Sequence, residues 1–144
     1  MNNNFCSPVE LTFFQKQDSQ SQSAKIPYIL VDNFPNLGLL TSLRFLEWVS
    51  ENPEGVVSLP TGKTPEFFIK WTHHLLANWE SNDLTAFRKE NGFNSNEKPN
   101  LSELTFVQID EFYPMDPTQH NSFYHYVNKY YLDGFGIPDK NALL

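Results

Sequence analysis

Short apolar runs rich in β-forming residues alternate with helical segments along this chain, and this alternation constrains the fold more than any other feature. Residues 28–31, 55–59 and 104–109 are such runs, and each is bounded by turn-forming or polar residues. The first two runs are separated by apolar residues at helical spacing, namely Leu39, Leu40, Leu43, Leu46 and Val49. Strands that alternate with helices indicate βαβ units, so the sequence predicts an α/β fold with a parallel sheet.

Helix boundaries follow from prolines and capping residues. The helix over residues 39–49 should end near 52–53, because a proline disfavours the helical conformation in the residue before it. A second helix is predicted after Pro65, with Thr64 as its N-cap and Glu66 in its first turn. A shorter helix with an exposed charged side is predicted over 83–92, and another from about Asn121.

The length and composition suit one domain preceded by a polar arm. A chain of 144 residues that is 40% hydrophobic and 15% aromatic can bury a substantial core. Residues 15–23 are rich in glutamine and serine and have no apolar period, so we predict a flexible N-terminal arm over residues 1–25. Residues 26–144 are then predicted to carry the folded domain.

Charge and cysteine content narrow the partners and the compartment. A formal net charge of -7 disfavours nucleic acid and anionic membranes, which both attract basic surfaces. No apolar stretch approaches the roughly 20 residues that cross a bilayer, and the N-terminus does not resemble a signal peptide. Cys6 is the only cysteine, which excludes an intrachain disulfide and fits a reducing compartment. We therefore predict a soluble, cytoplasmic protein, and the four histidines show no metal-binding pattern.

The first candidate site lies where the run 55–59 passes through a turn into a helix. In a parallel sheet, ligands bind beyond the carboxyl ends of the strands. Thr61, Gly62, Lys63 and Thr64 lie at this end, where backbone N–H groups and the helix dipole can hold an anion. The spacing is not that of a Walker A loop. An ordinary capped helix start explains the same residues, and at this point both interpretations stay open.

The second candidate site is a pair of carboxylates, Asp110 and Glu111, directly after the run 104–109. Neighbouring residues of an extended chain point to opposite sides, so only one of the two is expected to face a ligand. A carboxylate that the sheet partly desolvates can have its pKa raised toward that of a useful general base. We assign that role to Asp110 and a structural role to Glu111, while capping of the next turn by both remains the alternative.

The two strings, taken in this order, resemble the glucosamine-6-phosphate deaminase family, whose relatives include 6-phosphogluconolactonase. That family has a Leu-Pro-Thr-Gly-Gly-Thr-Pro loop where residues 59–65 read Leu-Pro-Thr-Gly-Lys-Thr-Pro. Its Asp-Glu-Tyr strand end is matched by residues 110–112, and its Ser-Tyr-Tyr helix start by residues 122–124. Residues 130–138 resemble the Phe-Phe-Asp and Ile-Pro segments that follow in the family. The resemblance covers roughly residues 27–144.

The resemblance implies a Rossmann-like, three-layer α/β/α domain with a mainly parallel sheet, of which this chain is the N-terminal part. It also implies an enzyme that converts glucosamine 6-phosphate and water to fructose 6-phosphate and ammonia. On this basis Thr61, Gly62, Lys63 and Thr64 hold the phosphate of a small sugar phosphate. Asp110 removes the C2 proton of the open-chain sugar, and the chemistry needs no metal or organic cofactor.

Two departures from the family pattern leave alternatives. Lys63 stands where the family has a second glycine, so the turn there must avoid positive φ. The Gly-rich segment with Asp, His and Glu that follows in the family does not appear before Leu144, so we expect the chain alone to be inactive and to belong to a longer protein. A catalytically silent sugar-phosphate sensor and a 6-phosphogluconolactonase-like hydrolase are the alternatives. An exposed sheet edge would also permit a homo-oligomer.

Overall fold

The computed structural model describes residues 7–17 and 25–144 of the protein. Six α-helices, two other helical turns and three strands follow one another along the described residues. In chain order the elements are α1 (Pro8–Lys16), α2 (Phe34–Glu51), β1 (Val56–Val57), α3 (Glu66–Ala77), α4 (Asn82–Glu90), β2 (Thr105–Val107), α5 (Phe123–Val127), a π-helical turn (Asn128–Leu132), α6 (Asp133–Phe135), a 3-10 turn (Asp139–Asn141) and β3 (Ala142–Leu143).

The described strands form one parallel sheet in the order β1-β2-β3. Val57 lies opposite Phe106, and Val107 lies opposite Leu143. Phe106 in the central strand is completely buried, whereas Val56 at the β1 edge is exposed. Helices surround this sheet, so the predicted α/β fold class with parallel strands is confirmed. The sequence did not predict β3.

Helices α2 and α3 pack closely against each other and form much of the core. Their buried residues include Leu39, Leu43, Leu46 and Val49 of α2 and Phe68, Thr72, Leu75 and Leu76 of α3. Gly38 permits the close approach, because a Cβ atom there would lie 2.5 Å from the backbone carbon of Phe67. The hydroxyls of Ser42 and Thr72 bond each other at 2.8 Å across the buried interface. Both helices were predicted from their apolar spacing.

The predicted strand over residues 28–31 is wrong. The segment is extended, with Ile29 and Val31 packed against the core and Leu30 exposed, which is the burial pattern of a strand. Its backbone does not join the sheet, however, and the N–H of Leu30 bonds the side-chain carbonyl of Gln17 at 2.9 Å. Alternating burial is visible in a sequence, but a neighbouring strand to pair with is not.

Part of the predicted flexible arm over residues 1–25 is instead helix α1. Ser7 caps this helix by accepting a hydrogen bond from the N–H of Glu10 at 3.1 Å, and Pro8 occupies its first turn. Val9 and Phe13 are buried against the core, and Glu10 pairs with Arg44 of α2 at 3.1 Å. The correction applies to α1 alone, because residues 1–6 and 18–24, including most of the polar run, lie outside the described residues.

Helix α4 matches the predicted helix over 83–92, with one exception to its exposed charged side. Arg88 is buried, and its guanidinium lies 3.7 Å from the centroid of the Trp79 ring. Its Nη1 donates to the carbonyl of Trp79 at 2.9 Å. This buried cation links α4 to Trp79, two residues after the end of α3. A helical pattern of polar residues does not predict such a contact. None of the helices in the described ranges is long and apolar enough to cross a membrane.

Candidate functional site

The two candidate site segments follow neighbouring parallel strands. Val56 and Val57 of β1 lie opposite Thr105 and Phe106 of β2, an offset of 49 residues. The same offset continues past the strands, where the hydroxyl of Ser58 donates to the carbonyl of Val107 at 2.6 Å. This last contact in the register lies three residues before Thr61 on one segment and three residues before Asp110 on the other. Because adjacent strands lie about 4.8 Å apart, both segments leave the sheet at the same edge and side by side.

The turn over residues 61–64, which we call the anion loop, has the backbone conformation that its sequence predicts. Gly62 has φ +92°, and a Cβ atom there would meet nothing within 4 Å, so glycine is required by conformation and not by space. No described residue other than glycine has positive φ, so Lys63 avoids this region as expected. Thr61 is half-buried and the other three residues are exposed, which leaves the loop accessible to a ligand.

The predicted N-cap of α3 is wrong. The helix starts at Glu66 with Pro65 in the cap position, and no side chain caps it. The chain first makes a turn in which the N–H of Glu66 donates to the carbonyl of Lys63 at 3.2 Å. Because of this turn, Thr64 lies one residue before the cap position. As a result, the hydroxyl of Thr64 bonds no other group in residues 7–17 and 25–144. The twelve-residue helix thus begins directly after the anion loop without a side-chain cap.

The charges beside the anion loop favour an anion. Lys63 forms no ion pair with any described residue. Glu66, in the first turn of α3, is the nearest acidic group along the chain, and it pairs with Lys70 at 2.5 Å. A hydrogen bond from Lys70, with the attraction of its charge, lowers the pKa of Glu66. The charge of Lys63 lowers the pKa of Glu66 as well, but less than Lys70 does, so Lys70 is the main partner of the acidic group at the start of the helix.

Asp110 is more exposed to solvent than the sequence predicted. The sequence argument expected the sheet to desolvate this carboxylate, but β2 ends at Val107 and Asp110 is exposed, as are its neighbours Ile109 and Phe112. The backbone carbonyl of Asp110 accepts a bond from the Gln108 side chain at 2.7 Å. Its carboxylate has no hydrogen-bond or ion-pair partner among the described residues, so it is available to a substrate.

Glu111 has the structural role that the sequence argument assigned to it. Its carboxylate accepts bonds from the hydroxyl of Ser122 at 2.7 Å, the N–H of Tyr124 at 3.0 Å and the N–H of Phe112 at 2.9 Å. Desolvation raises the pKa of Glu111, but these hydrogen bonds, with a further one from the N–H of Phe123, outweigh it and lower the pKa to about 2. Glu111 therefore anchors the segment after β2 to the start of α5.

Two tyrosines of the aromatic cluster near the C-terminus contact the anion loop. The hydroxyl of Tyr126 donates to the carbonyl of Gly62 at 2.8 Å, and that of Tyr131 donates to the carbonyl of Pro60 at 2.5 Å. Both lie on the helical segment that Glu111 anchors. The only sequence signal was a cluster of aromatic residues, which predicts core packing as well as it predicts contacts to a loop.

The histidines do not form a metal site in the described part of the chain. His73 bonds the carbonyl of Tyr130 at 2.9 Å, and His120 lies exposed in the segment between β2 and α5. No three of the described histidine, cysteine, aspartate and glutamate side chains come together as a group that could hold a metal ion.

A cavity of about 750 Å³ lies beside β1 and is separate from the free carboxylate of Asp110. Its walls are mainly apolar side chains of α2, of the extended segment before it and of β1. Pro60 and Thr64 line one end, so the cavity reaches one side of the anion loop, but Asp110 does not line it. The cavity therefore does not join the loop to Asp110.

Comparison with known proteins identifies the fold. The chain superposes on a solved structure of a monomeric glucosamine-6-phosphate deaminase, described as a missing link of the NagB superfamily, with a TM-score of 0.59 and 18% sequence identity. The match covers 78% of this chain and 39% of the deaminase chain, so the chain spans well under half of that enzyme's length. No protein-family model and no curated protein matches the sequence. The chain thus has a NagB-like α/β fold.

The depressed pKa of Glu111 makes a testable prediction about stability and pH. Because the pKa in the folded protein is about 2 and the ordinary value is 4.5, ionised Glu111 stabilises the fold fully above pH 4.5. This contribution is lost as the pH falls from 4.5 toward 2. We expect Glu111→Gln to lower the urea midpoint relative to the unsubstituted protein above pH 5, and the difference to shrink toward pH 2.

Glu54→Gln is the matched control, because Glu54 is exposed and no described group bonds its carboxylate. This variant should follow the unsubstituted protein at every pH. A difference for Glu111→Gln that stays constant from pH 7 to pH 2 would show that the carboxylate is not held by these hydrogen bonds.

Proposed function

We propose that the protein acts on an aminosugar phosphate as an isomerase-deaminase, converting glucosamine 6-phosphate and water to fructose 6-phosphate and ammonia. One observation carries this proposal: two neighbouring parallel strands end in an anion loop and in a carboxylate without a protein partner. The NagB-like fold supports it, and the solved structure with this fold is a glucosamine-6-phosphate deaminase. The residues beyond the strand ends supply the two functions that the reaction requires.

The phosphate is held by Thr61, Gly62, Lys63 and Thr64. The two threonine hydroxyls have no hydrogen-bond partner among the described residues, and Lys63 carries a charge without an ion pair. The start of α3 adds uncapped amides and the positive end of the helix dipole. These groups together favour a dianion such as a sugar phosphate over a neutral sugar.

Asp110 is the general base. Its carboxylate takes the proton from C2 of the open-chain sugar, and the electrons of that C–H bond form a C1–C2 double bond. The electrons of the C1=O double bond move to O1, which takes a proton from water, and the product is a 1-hydroxy-enolamine. Return of the proton to C1 gives an imine at C2, which water hydrolyses to the ketone with release of ammonia. Asp110 starts and ends the transfer as a carboxylate, and no electrons leave the substrate. The reaction therefore needs neither a redox cofactor nor a metal ion.

We propose a cytoplasmic location for this reaction, since its substrate is a phosphorylated sugar and the single Cys6 fits a reducing compartment. We also propose that residues 26–144, together with α1, are the N-terminal portion of a sugar-phosphate isomerase domain.

Replacing the base tests the chemistry. Asp110→Asn keeps the shape of the side chain but cannot accept a proton, so ammonia release from glucosamine 6-phosphate should fall by about 100-fold or more. Binding of the same compound, measured by isothermal calorimetry, should change by no more than about twofold, since the phosphate supplies most of the contacts.

Asp116→Asn is the control, because Asp116 lies in the same segment and its carboxylate bonds only Thr118 in the described structure. This variant should keep the unsubstituted rate. Undiminished ammonia release by Asp110→Asn would refute the base assignment. All three forms are assayed in the longer protein to which we expect the chain to belong. Binding without any ammonia release by that unsubstituted protein would instead favour the sensor.

Two glycines with the same backbone conformation test the anion loop. Gly62 and Gly136 have φ +92° and +77°, and a Cβ atom would meet nothing within 4 Å at either position. Alanine at either position should therefore cost about 1 kcal/mol of stability through backbone strain alone. Only Gly62→Ala should weaken the binding of inorganic phosphate, measured by calorimetry on the folded protein. Equal phosphate affinity of the two variants would contradict an anion site at residues 61–64.

A further inference from the structure

We infer that Tyr126 and Tyr131 are positioning residues that hold the anion loop with its amide N–H groups turned toward the phosphate. This inference rests on the proposed function, because it takes residues 61–64 to be the phosphate site. It adds a second element to that site, the helical segment after Asp110, and it assigns a purpose to the irregular turn in that segment.

One hydroxyl bonds the carbonyl directly before the anion loop, and the other bonds a carbonyl within it. Tyr131 donates to Pro60 and Tyr126 to Gly62, so two alternate peptide units are fixed from the same side. Desolvation, with a smaller contribution from Tyr130 and Glu66, raises the pKa of Tyr126 to about 12. Desolvation also raises the pKa of Tyr131. Both side chains are therefore protonated donors at any physiological pH.

Fixing these carbonyls also fixes the amides that share their peptide units. The carbonyl of Pro60 and the N–H of Thr61 belong to one unit, and the carbonyl of Gly62 and the N–H of Lys63 belong to another. Both units are trans, since the cis bond in the described chain is at Tyr113–Pro114, and a trans unit points its N–H opposite to its C=O.

The N–H groups of Thr61 and Lys63 therefore both point away from the tyrosines and toward the same side. Neither donates to another group of the described residues. Two such amides flanking a glycine of positive φ form an anion-binding concavity. The tyrosines hold this concavity open before a ligand arrives, which reduces the ordering cost of binding.

The two tyrosines are five residues apart, with Tyr126 in α5 and Tyr131 in the π-helical turn that follows it. On a regular α-helix, residues five apart diverge by about 140° around the axis. Here the N–H of Asp133 bonds the carbonyl of Asn128, five residues earlier, in the π-helical turn Asn128–Leu132. The wider turn reduces that divergence, because an i to i+5 hydrogen bond brings residues five apart closer to one side.

Neighbouring residues support this turn. His73 of α3 bonds the carbonyl of Tyr130 inside it at 2.9 Å. The His73 ring occupies space that only glycine leaves at residue 134, because a Cβ atom on Gly134 would lie 2.1 Å from its Nε2. Helix α3, which begins at the anion loop, thus also holds the turn that positions the tyrosines.

The test removes one hydroxyl at a time and measures inorganic phosphate affinity. Tyr126→Phe and Tyr131→Phe keep the rings, and each should raise the phosphate Kd by about fivefold, the effect of one lost hydrogen bond to a loop. The Kd is measured by calorimetry at a temperature where urea melts show each variant to be folded.

Tyr130→Phe is the matched control, since Tyr130 lies between the two on the same segment and its hydroxyl bonds no described group. It should leave the phosphate Kd unchanged. A purely structural role of the two hydroxyls would lower the urea midpoints and leave the Kd of the folded variants equal to that of the unsubstituted protein, which would overturn the inference. Absence of phosphate binding by the unsubstituted protein would overturn the anion site itself, and the inference with it.

Discussion

The parallel pairing of β1 with β2 is the constraint on which the candidate site depends. It sets an offset of 49 residues between the two strands, and the Ser58–Val107 bond carries this offset past the last paired residues. Two segments that are far apart in sequence therefore leave the sheet together. A register shifted by one residue would reverse the direction of every side chain at this edge. The burial of Phe106 in the central strand holds the register in place.

Hydrogen bonding divides the adjacent carboxylates between two roles. Glu111 accepts bonds from Ser122, Phe112 and Tyr124, and it fixes where α5 begins. Asp110 has no such partner in the described chain and remains available for chemistry. The same helical segment then carries the tyrosines back to the anion loop. One carboxylate therefore holds the start of α5 in place, while its neighbour has no partner in the described chain.

Periodicity in the sequence predicted the elements that bury regular apolar faces, but not those defined by specific partners. The helix over residues 39–49 and the strands within 55–59 and 104–109 were found, because burial follows their spacing. Residues 28–31 have a strand's burial pattern without a partner strand. Helix α1 was included in the arm because the polar run 15–23 overlaps its end, although Val9 and Phe13 are apolar and buried. The π-helical turn left no signal, since a spacing of five between tyrosines matches neither a helix nor a strand. The exposure of Asp110 was missed because the length of β2 is set by its neighbours.

A crystal structure of the protein with bound glucosamine 6-phosphate tests the central claim most directly. The account predicts the phosphate within hydrogen-bond distance of the Thr61 and Lys63 amides, and the C2 carbon of the same molecule next to the carboxylate of Asp110. Phosphate bound in the apolar cavity beside α2, or a sugar whose C2 lies out of reach of Asp110, would contradict it.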